Sequence, residues 1–258
     1  MQPSAPRISS PVGDPLVLLH GLFGKPENWD SVRGRLGGTW RALAPPLPLL
    51  DLPRERDPVE SLGAHVLGVM DGEGIERAVL VGNSLGGHVA IRLALAHPRR
   101  VRALVLTGSS GLFERGFDSC VPRRPTEAFM RAKMAEVFHD PVHVTDALVD
   151  EVSAIVADVR NVARIIWLAR WAKHDNVAPQ LPRIACPVLL VWGADDRITP
   201  PAVARAFHAA LPGSELQFLD ACGHAPMIER PAEFGIRVEC FLRRLAALGP
   251  ASALARSC

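Results

Sequence analysis

The sequence predicts an α/β fold, a doubly wound and mostly parallel sheet carrying an inserted helical segment. Three observations predict it. Short apolar runs alternate with helix-length runs from residue 15 to about 107. The alternation stops between Leu112 and Ala178, where helical stretches follow one another, and the sheet pattern resumes at Ile184. Polar clusters fall just past the C-terminal ends of the apolar runs, the edge on which open α/β sheets build their sites.

Taken in order, Pro15-Leu16-Val17-Leu18-Leu19 is a run suited to a strand buried on both faces, ending in His20-Gly21-Leu22-Phe23-Gly24. Thr39 to Ala44 reads as a second strand and Pro58 to Met70 as a helix. Arg77 to Val81 is a third strand, and Gly87 to Ala96 a helix. Val101 to Leu106 is a fourth strand, closing at Thr107-Gly108-Ser109-Ser110-Gly111. Helical stretches follow near 125–138, 145–158 and 160–173. Pro187 to Gly193 and Ser214 to Asp220 complete the strand set.

Composition narrows the function classes. A chain of 258 residues that is 48% hydrophobic has enough apolar surface for one large core. The net charge is +2 and the charges are interspersed, which argues against a nucleic-acid footprint or a polybasic membrane patch. No apolar run approaches the roughly 18 residues of a membrane span, and residues 1–7 lack a signal-peptide stretch. A cytoplasmic location is expected. Cysteines 120, 186, 222, 240 and 258 form no C-x-x-C pair, so reduced thiols are expected. Cys222 and His224 have no second pair at ligand spacing, so no metal site is expected. Lysine occurs only at 25, 133 and 173, and nearly all other cations are arginine.

Gly82-Asn83-Ser84-Leu85-Gly86 fits G-x-S-x-G, the turn that lifts a nucleophilic serine out of a strand end. A lone match is weak, because glycine and serine are common in loops. The strand before it and the helix after it put this one where its chemistry needs it. A serine hydroxyl becomes a good nucleophile when a base takes its proton. His224, in Cys222-Gly223-His224-Ala225-Pro226, is suited to that task, with an ordinary imidazole pKa of about 6.5. The imidazole needs an acceptor to fix its tautomer, and Asp195 and Asp196 compete for that place.

With these pieces in the order Ser, Asp, His, the chain resembles the α/β-hydrolase superfamily over nearly its whole length. The matching segments are His20-Gly21, Gly82 to Gly87, Trp192 to Asp196 and Gly223 to Pro226. The resemblance implies a core of residues 1–111 and 181–258, a helical cap of residues 112–180, and an esterase-like triad. In similar hydrolases the acid stands three residues after the glycine and four before the proline. That frame selects Asp196, leaving Asp195 to cap the next helix or face solvent. The backbone N–H of Leu85 and those of Leu22 or Phe23 are the expected oxyanion hole. His20 is expected to brace its loop, and His88 to be structural. Two departures are visible. Pro45 to Asp51 replaces the family's frequent D-x-x-G-x-G-x-S, and only about 14 residues precede the first strand.

The leading functional expectation is a serine hydrolase that cleaves small carboxylic esters through an acyl-serine, with no cofactor. The alternatives are a carbon–carbon bond hydrolase acting on vinylogous diketones, and a triad-bearing small-molecule receptor. Against the former, Gly21-Leu22-Phe23-Gly24 stands where those enzymes often have G-x-G-P-G, and Ala225 where they often have tryptophan. Ser84 disfavours dehalogenases and epoxide hydrolases of this fold, which use aspartate; cap tyrosines of the latter have no counterpart in a chain without tyrosine. In the cap, Trp167 and Trp171 share a helix face and are candidates for pocket lining or for packing. His139 and His143 are separated by Pro141, which argues against one helix bearing a metal pair. Arg123-Arg124 is read as a solvated turn.

Overall fold

A computed structural model describes residues 13–52, 57–113 and 126–248. Among them six strands form one sheet: β1 (Leu16–Leu19), β2 (Ala42–Leu43), β3 (Ala78–Asn83), β4 (Val101–Thr107), β5 (Val188–Gly193) and β6 (Glu215–Leu219). Their order is β2-β1-β3-β4-β5-β6 and every pairing is parallel. The chain steps outward from β1 to β2, then crosses back to lay β3 on the other side of β1. The order therefore reverses between β1 and β3, the position at which such sheets open a crevice.

Strand alternation sorts the core into two layers. Val17, Leu19, Leu80, Leu104, Leu106 and Leu190 face one side. There they pack against α2 (Pro58–Gly72), α3 (Leu85–Ala96) and α7 (Pro201–Ala210). Leu16, Leu18, Val79, Val81, Val105 and Val191 face the other, against α1 (Asp30–Leu36) and α9 (Pro231–Ala247). Both faces are covered, which is why the central strands read as continuous apolar runs rather than alternating ones.

Between β4 and β5 the described residues contain no strand. They form α4 (Glu127–Ala135), α5 (Asp146–Ala157) and α6 (Val159–His174), then a 3-10 stretch, Ala178–Arg183. Each of the three helices opens on a side-chain cap: Thr126 to Phe129 N–H, Thr145 to Leu148 N–H and Asp158 to Arg160 N–H. This segment touches the loops at the C-terminal edge of the sheet. Arg164 donates to the Leu52 carbonyl (2.6 Å), Lys25 pairs with Glu151, and Val177 N–H bonds the Gly111 carbonyl (2.9 Å).

Three boundaries differ from the sequence expectation. Only Ala42 and Leu43 of the run 39–44 pair with β1. Trp40 is instead buried among the residues of the α1/α9 layer, and Pro45-Pro46 follow directly. The helix expected from Gly87 starts at Leu85, because the turn at Ser84 feeds straight into it. The return to the sheet is also later than Ile184, at Val188, since the intervening residues leave the 3-10 stretch in an irregular link.

Candidate active site

Ser84 lies between β3 and α3 with φ +53° and ψ −120°, a backbone region that non-glycine residues rarely occupy. Its conformation is over-determined by its neighbours. Its N–H bonds the Thr107 carbonyl (3.1 Å), and its own carbonyl accepts from Gly87, His88 and Ser110 N–H groups (3.0–3.1 Å). A side chain at Gly82 would sit 2.5 Å from the Gly86 carbonyl, and one at Gly86 would collide with the Leu19 carbonyl. The strand–helix crossing is thus too close for a Cβ at either position, which is the physical content of the two glycines in the motif.

The loop after β1 lies against this turn. A Cβ on Gly21 would be 2.9 Å from the Ser84 Cβ. Gly24 N–H closes a turn onto the Gly21 carbonyl (3.0 Å), and Phe23 inside it has φ +59°. His20 braces the loop as expected. Leu47 N–H donates to its Nε2 (3.0 Å), so Nδ1 carries the proton and donates to the Gly21 carbonyl (2.9 Å). Burial pushes this imidazole below its ordinary pKa. Leu85, the first residue of α3, presents one of the helix's unpaired N–H groups beside Ser84. Leu85 follows Ser84 directly, and the loop that carries Leu22 and Phe23 approaches the serine at Gly21.

The loops after β5 and β6 bring acid and base together. Asp196 and His224 are both buried, and His224 Nδ1 donates to Asp196 Oδ2 at 2.9 Å. A carboxylate only accepts, so Nδ1 carries a proton, and in the neutral imidazole the lone pair is then on Nε2. The second oxygen, Oδ1, takes the N–H groups of Ile198 and Thr199 (2.9 Å each). Thr199 Oγ1 donates to Oδ2 (2.9 Å). Thr199 is itself held through its carbonyl by the Trp192 indole N–H (2.7 Å). Asp195 points elsewhere: it is exposed, one of its two expected placements, and pairs with His139 Nδ1 at 3.0 Å.

Sequence reasoning missed Thr199 and the second role of Asn83. The Asn83 amide donates to the Thr107 carbonyl (3.1 Å) and to the His224 carbonyl (2.9 Å), tying the histidine loop to the residue before Ser84. A threonine three residues past an aspartate in a tight loop is the signal that could have found the first. The second has no local signal, because its partner lies 141 residues away.

The remaining candidates have contacts of their own. His88 is buried one turn into α3, with Nε2 2.9 Å from Asp175 Oδ2 but off the line of a hydrogen bond. Trp167 and Trp171 pack against the α2/α3/α7 layer and line a groove along α6 with Arg170 and His174. Ser84 and His224 are not among the groove's described lining residues. His143 sits in a 3-10 turn, Pro141–His143, with its ring 5.6 Å from that of Phe138, separate from His139. Among the described residues no group of three or more His, Cys, Asp or Glu could hold a metal. No described helix is long and apolar enough to cross a membrane. Cys186, Cys222 and Cys240 are free thiols, and burial raises that of Cys186 to about 11. Cys120, Cys258 and Arg123-Arg124 lie outside the described residues.

Comparison with known proteins agrees with this fold. Residues 16–235 match the model of the alpha/beta hydrolase family. The chain is 33% identical over 253 residues to 2-hydroxymuconate semialdehyde hydrolase of Pseudomonas putida, covering 92% of this chain and 89% of that protein. It is 31% identical over 257 residues to a 2-hydroxy-6-oxononadienedioate/2-hydroxy-6-oxononatrienedioate hydrolase of Paraburkholderia xenovorans, covering 88% and 86%. Among solved structures, an alpha/beta hydrolase enzyme from the metagenome of lagoon sediments at Mar Chica, Morocco, superposes with a TM-score of 0.72. It shares 32% identity, over 91% of this chain and 92% of that one. A meta-cleavage product hydrolase of Pseudomonas fluorescens shares the fold, with a TM-score of 0.77 at 24% identity over 91% and 92%. The chain belongs to the alpha/beta hydrolase family, as a hydrolase.

Proposed function

We propose that the protein is a serine hydrolase of small carboxylic esters that works through an acyl-serine intermediate. Ser84 is the nucleophile, His224 the general base and acid, and Asp196 the residue that orients His224. The observation that carries this reading is the buried 2.9 Å bond from His224 Nδ1 to Asp196, which leaves Nε2 basic. In the first step Nε2 takes the Ser84 proton while Oγ attacks the ester carbonyl. The N–H groups of Leu85 and of Leu22 or Phe23 hold the resulting oxyanion, an interaction of about 10²–10³-fold in rate per donor. The imidazolium then protonates the departing alkoxide. Water, activated by the same Nε2, hydrolyses the acyl-serine to acid and free enzyme. Residues 112–180 act as a cap over a core of residues 1–111 and 181–258, a division supported by the contacts of the helical segment with the loops at the sheet's C-terminal edge.

A second reading has its own support. Two relatives named above hydrolyse, by their names, 2-hydroxymuconate semialdehyde and 2-hydroxy-6-oxononadienedioate or its trienedioate, so the bond this chain cleaves could be carbon–carbon rather than an ester. The same serine, histidine and aspartate would serve. Assays on p-nitrophenyl esters from acetate to octanoate, in parallel with 2-hydroxymuconate semialdehyde, decide between the two. The ester reading expects the higher kcat/KM on an ester; a higher value on the semialdehyde replaces it with the second.

A further inference from the structure

We propose that Glu229 is a positioning residue for His224, one that makes the placement of the base depend on how the helical segment is seated. The proposal rests on the reading that Ser84 and His224 perform the chemistry. Glu229 ends the short helix α8 (Pro226–Glu229), five residues past His224. Its carboxylate is buried and collects backbone donors from its own loop and from one distant segment. Oε1 accepts from Gly223 N–H (2.9 Å) and Ala225 N–H (3.3 Å), the residues on either side of His224. Oε2 accepts from His139 N–H (2.7 Å), just beyond α4.

The segment held in this way supports the histidine directly. Val137 accepts the His224 backbone N–H at 2.8 Å, while Asn83 holds the His224 carbonyl at 2.9 Å. A Cβ on Gly223 would lie 2.6 Å from the Val137 carbonyl and 2.7 Å from His139 N, so the two segments meet backbone to backbone. One carboxylate spans this seam with an acceptor on each edge. An amide could not do the same, because one of its edges is a donor and would face an N–H group. The charge strengthens each bond and offsets the cost of its burial. Losing one edge leaves the His224 N–H bond to the Val137 carbonyl as the remaining backbone hydrogen bond across the seam among the described residues, so the His224 loop shifts against residues 137–139 and the imidazole is held less closely to its place beside Ser84.

The test uses the full chain with Glu229→Gln. Two measurements are made: the rate constant and final extent of Ser84 labelling by a fluorophosphonate, and kcat and KM on p-nitrophenyl acetate. Labelling is expected to reach completion with a rate constant about 10- to 100-fold lower, with kcat falling in step and KM within about three-fold. A wild-type rate constant with a smaller labelled fraction would mean that Glu229 only supports folding, and would overturn the proposal. If the glutamine variant is insoluble, Glu229→Asp replaces it. Aspartate keeps the charge but is one methylene short of bridging both edges, so the same loss is expected and wild-type kinetics overturn the proposal. Absence of labelling in the wild-type protein is a different result: it removes the nucleophile reading and overturns the proposal through its premise.

Discussion

Replacing Asp196 by asparagine should disable the base without disturbing the fold, because of how its four hydrogen bonds are shared. Oδ1 faces two backbone N–H donors, Ile198 and Thr199, so the amide oxygen must take that side. The amide NH2 then faces His224 Nδ1 and Thr199 Oγ1. It donates to Nδ1, which moves the imidazole proton to Nε2, where Ser84 needs a lone pair. Recovering the right tautomer would require flipping the amide and leaving two buried N–H groups without an acceptor, about 1–3 kcal/mol each. At about 1.36 kcal/mol per decade, this suppresses the productive arrangement roughly 30- to 3×10⁴-fold. The upper part of that range agrees with the loss of about 10⁴ known for a wrong-tautomer triad. We expect kcat on p-nitrophenyl acetate to fall about 10³- to 10⁴-fold in Asp196→Asn. In Asp195→Asn it should fall less than about five-fold, since the Asp195–His139 pair is part-exposed. Equal losses, or a greater loss at 195, would refute the assignment of the acid.

Two further outcomes follow from groups around the site. His20 is buried with its pKa below the ordinary value, so below about pH 6.5 the unfolded chain binds a proton that the folded one does not. Its contribution is present in full above that pH and is lost as pH falls; urea unfolding at pH 7.5 and 5.5 should show a smaller drop in His20→Asn than in the wild type. Alanine at Trp167 or Trp171 should cost about 1–3 kcal/mol of stability and leave the preferred acyl length unchanged, because both rings pack on the core and the groove they border has no described lining from Ser84 or His224. A changed chain-length profile would instead place them in the pocket.

What the sequence made legible was local chemistry. The elbow could be read because strand, turn and helix are each coded by neighbouring residues, from Ala78 to Ala96. Asp196 could be read because the spacing from Gly193 to Pro200 spans one loop. Asp195 and Asp196 differ in sequence by nothing but register, and their opposite fates, one on His224 and one on His139, are decided by three-dimensional packing. β2 was over-read because Trp40 and Leu43 look alike to an apolar pattern, yet only the latter lies in the two-residue strand. Glu229 was invisible because a lone carboxylate in Ala225-Pro226-Met227-Ile228-Glu229 looks like a surface residue until its partner at His139, 90 positions away, is known. Helices α4 to α6 were legible as helices; which loops they would touch was not.

Covalent trapping decides whether Ser84 is the nucleophile. The wild-type protein is treated with a fluorophosphonate, digested and mapped by mass spectrometry, beside Ser84→Ala. One labelled site is expected, at Ser84, absent in the variant, together with a loss of ester turnover of about 10⁴–10⁶-fold. Labelling at Ser109 or Ser110, the buried serines of the adjoining loop, with turnover surviving in Ser84→Ala, would contradict it.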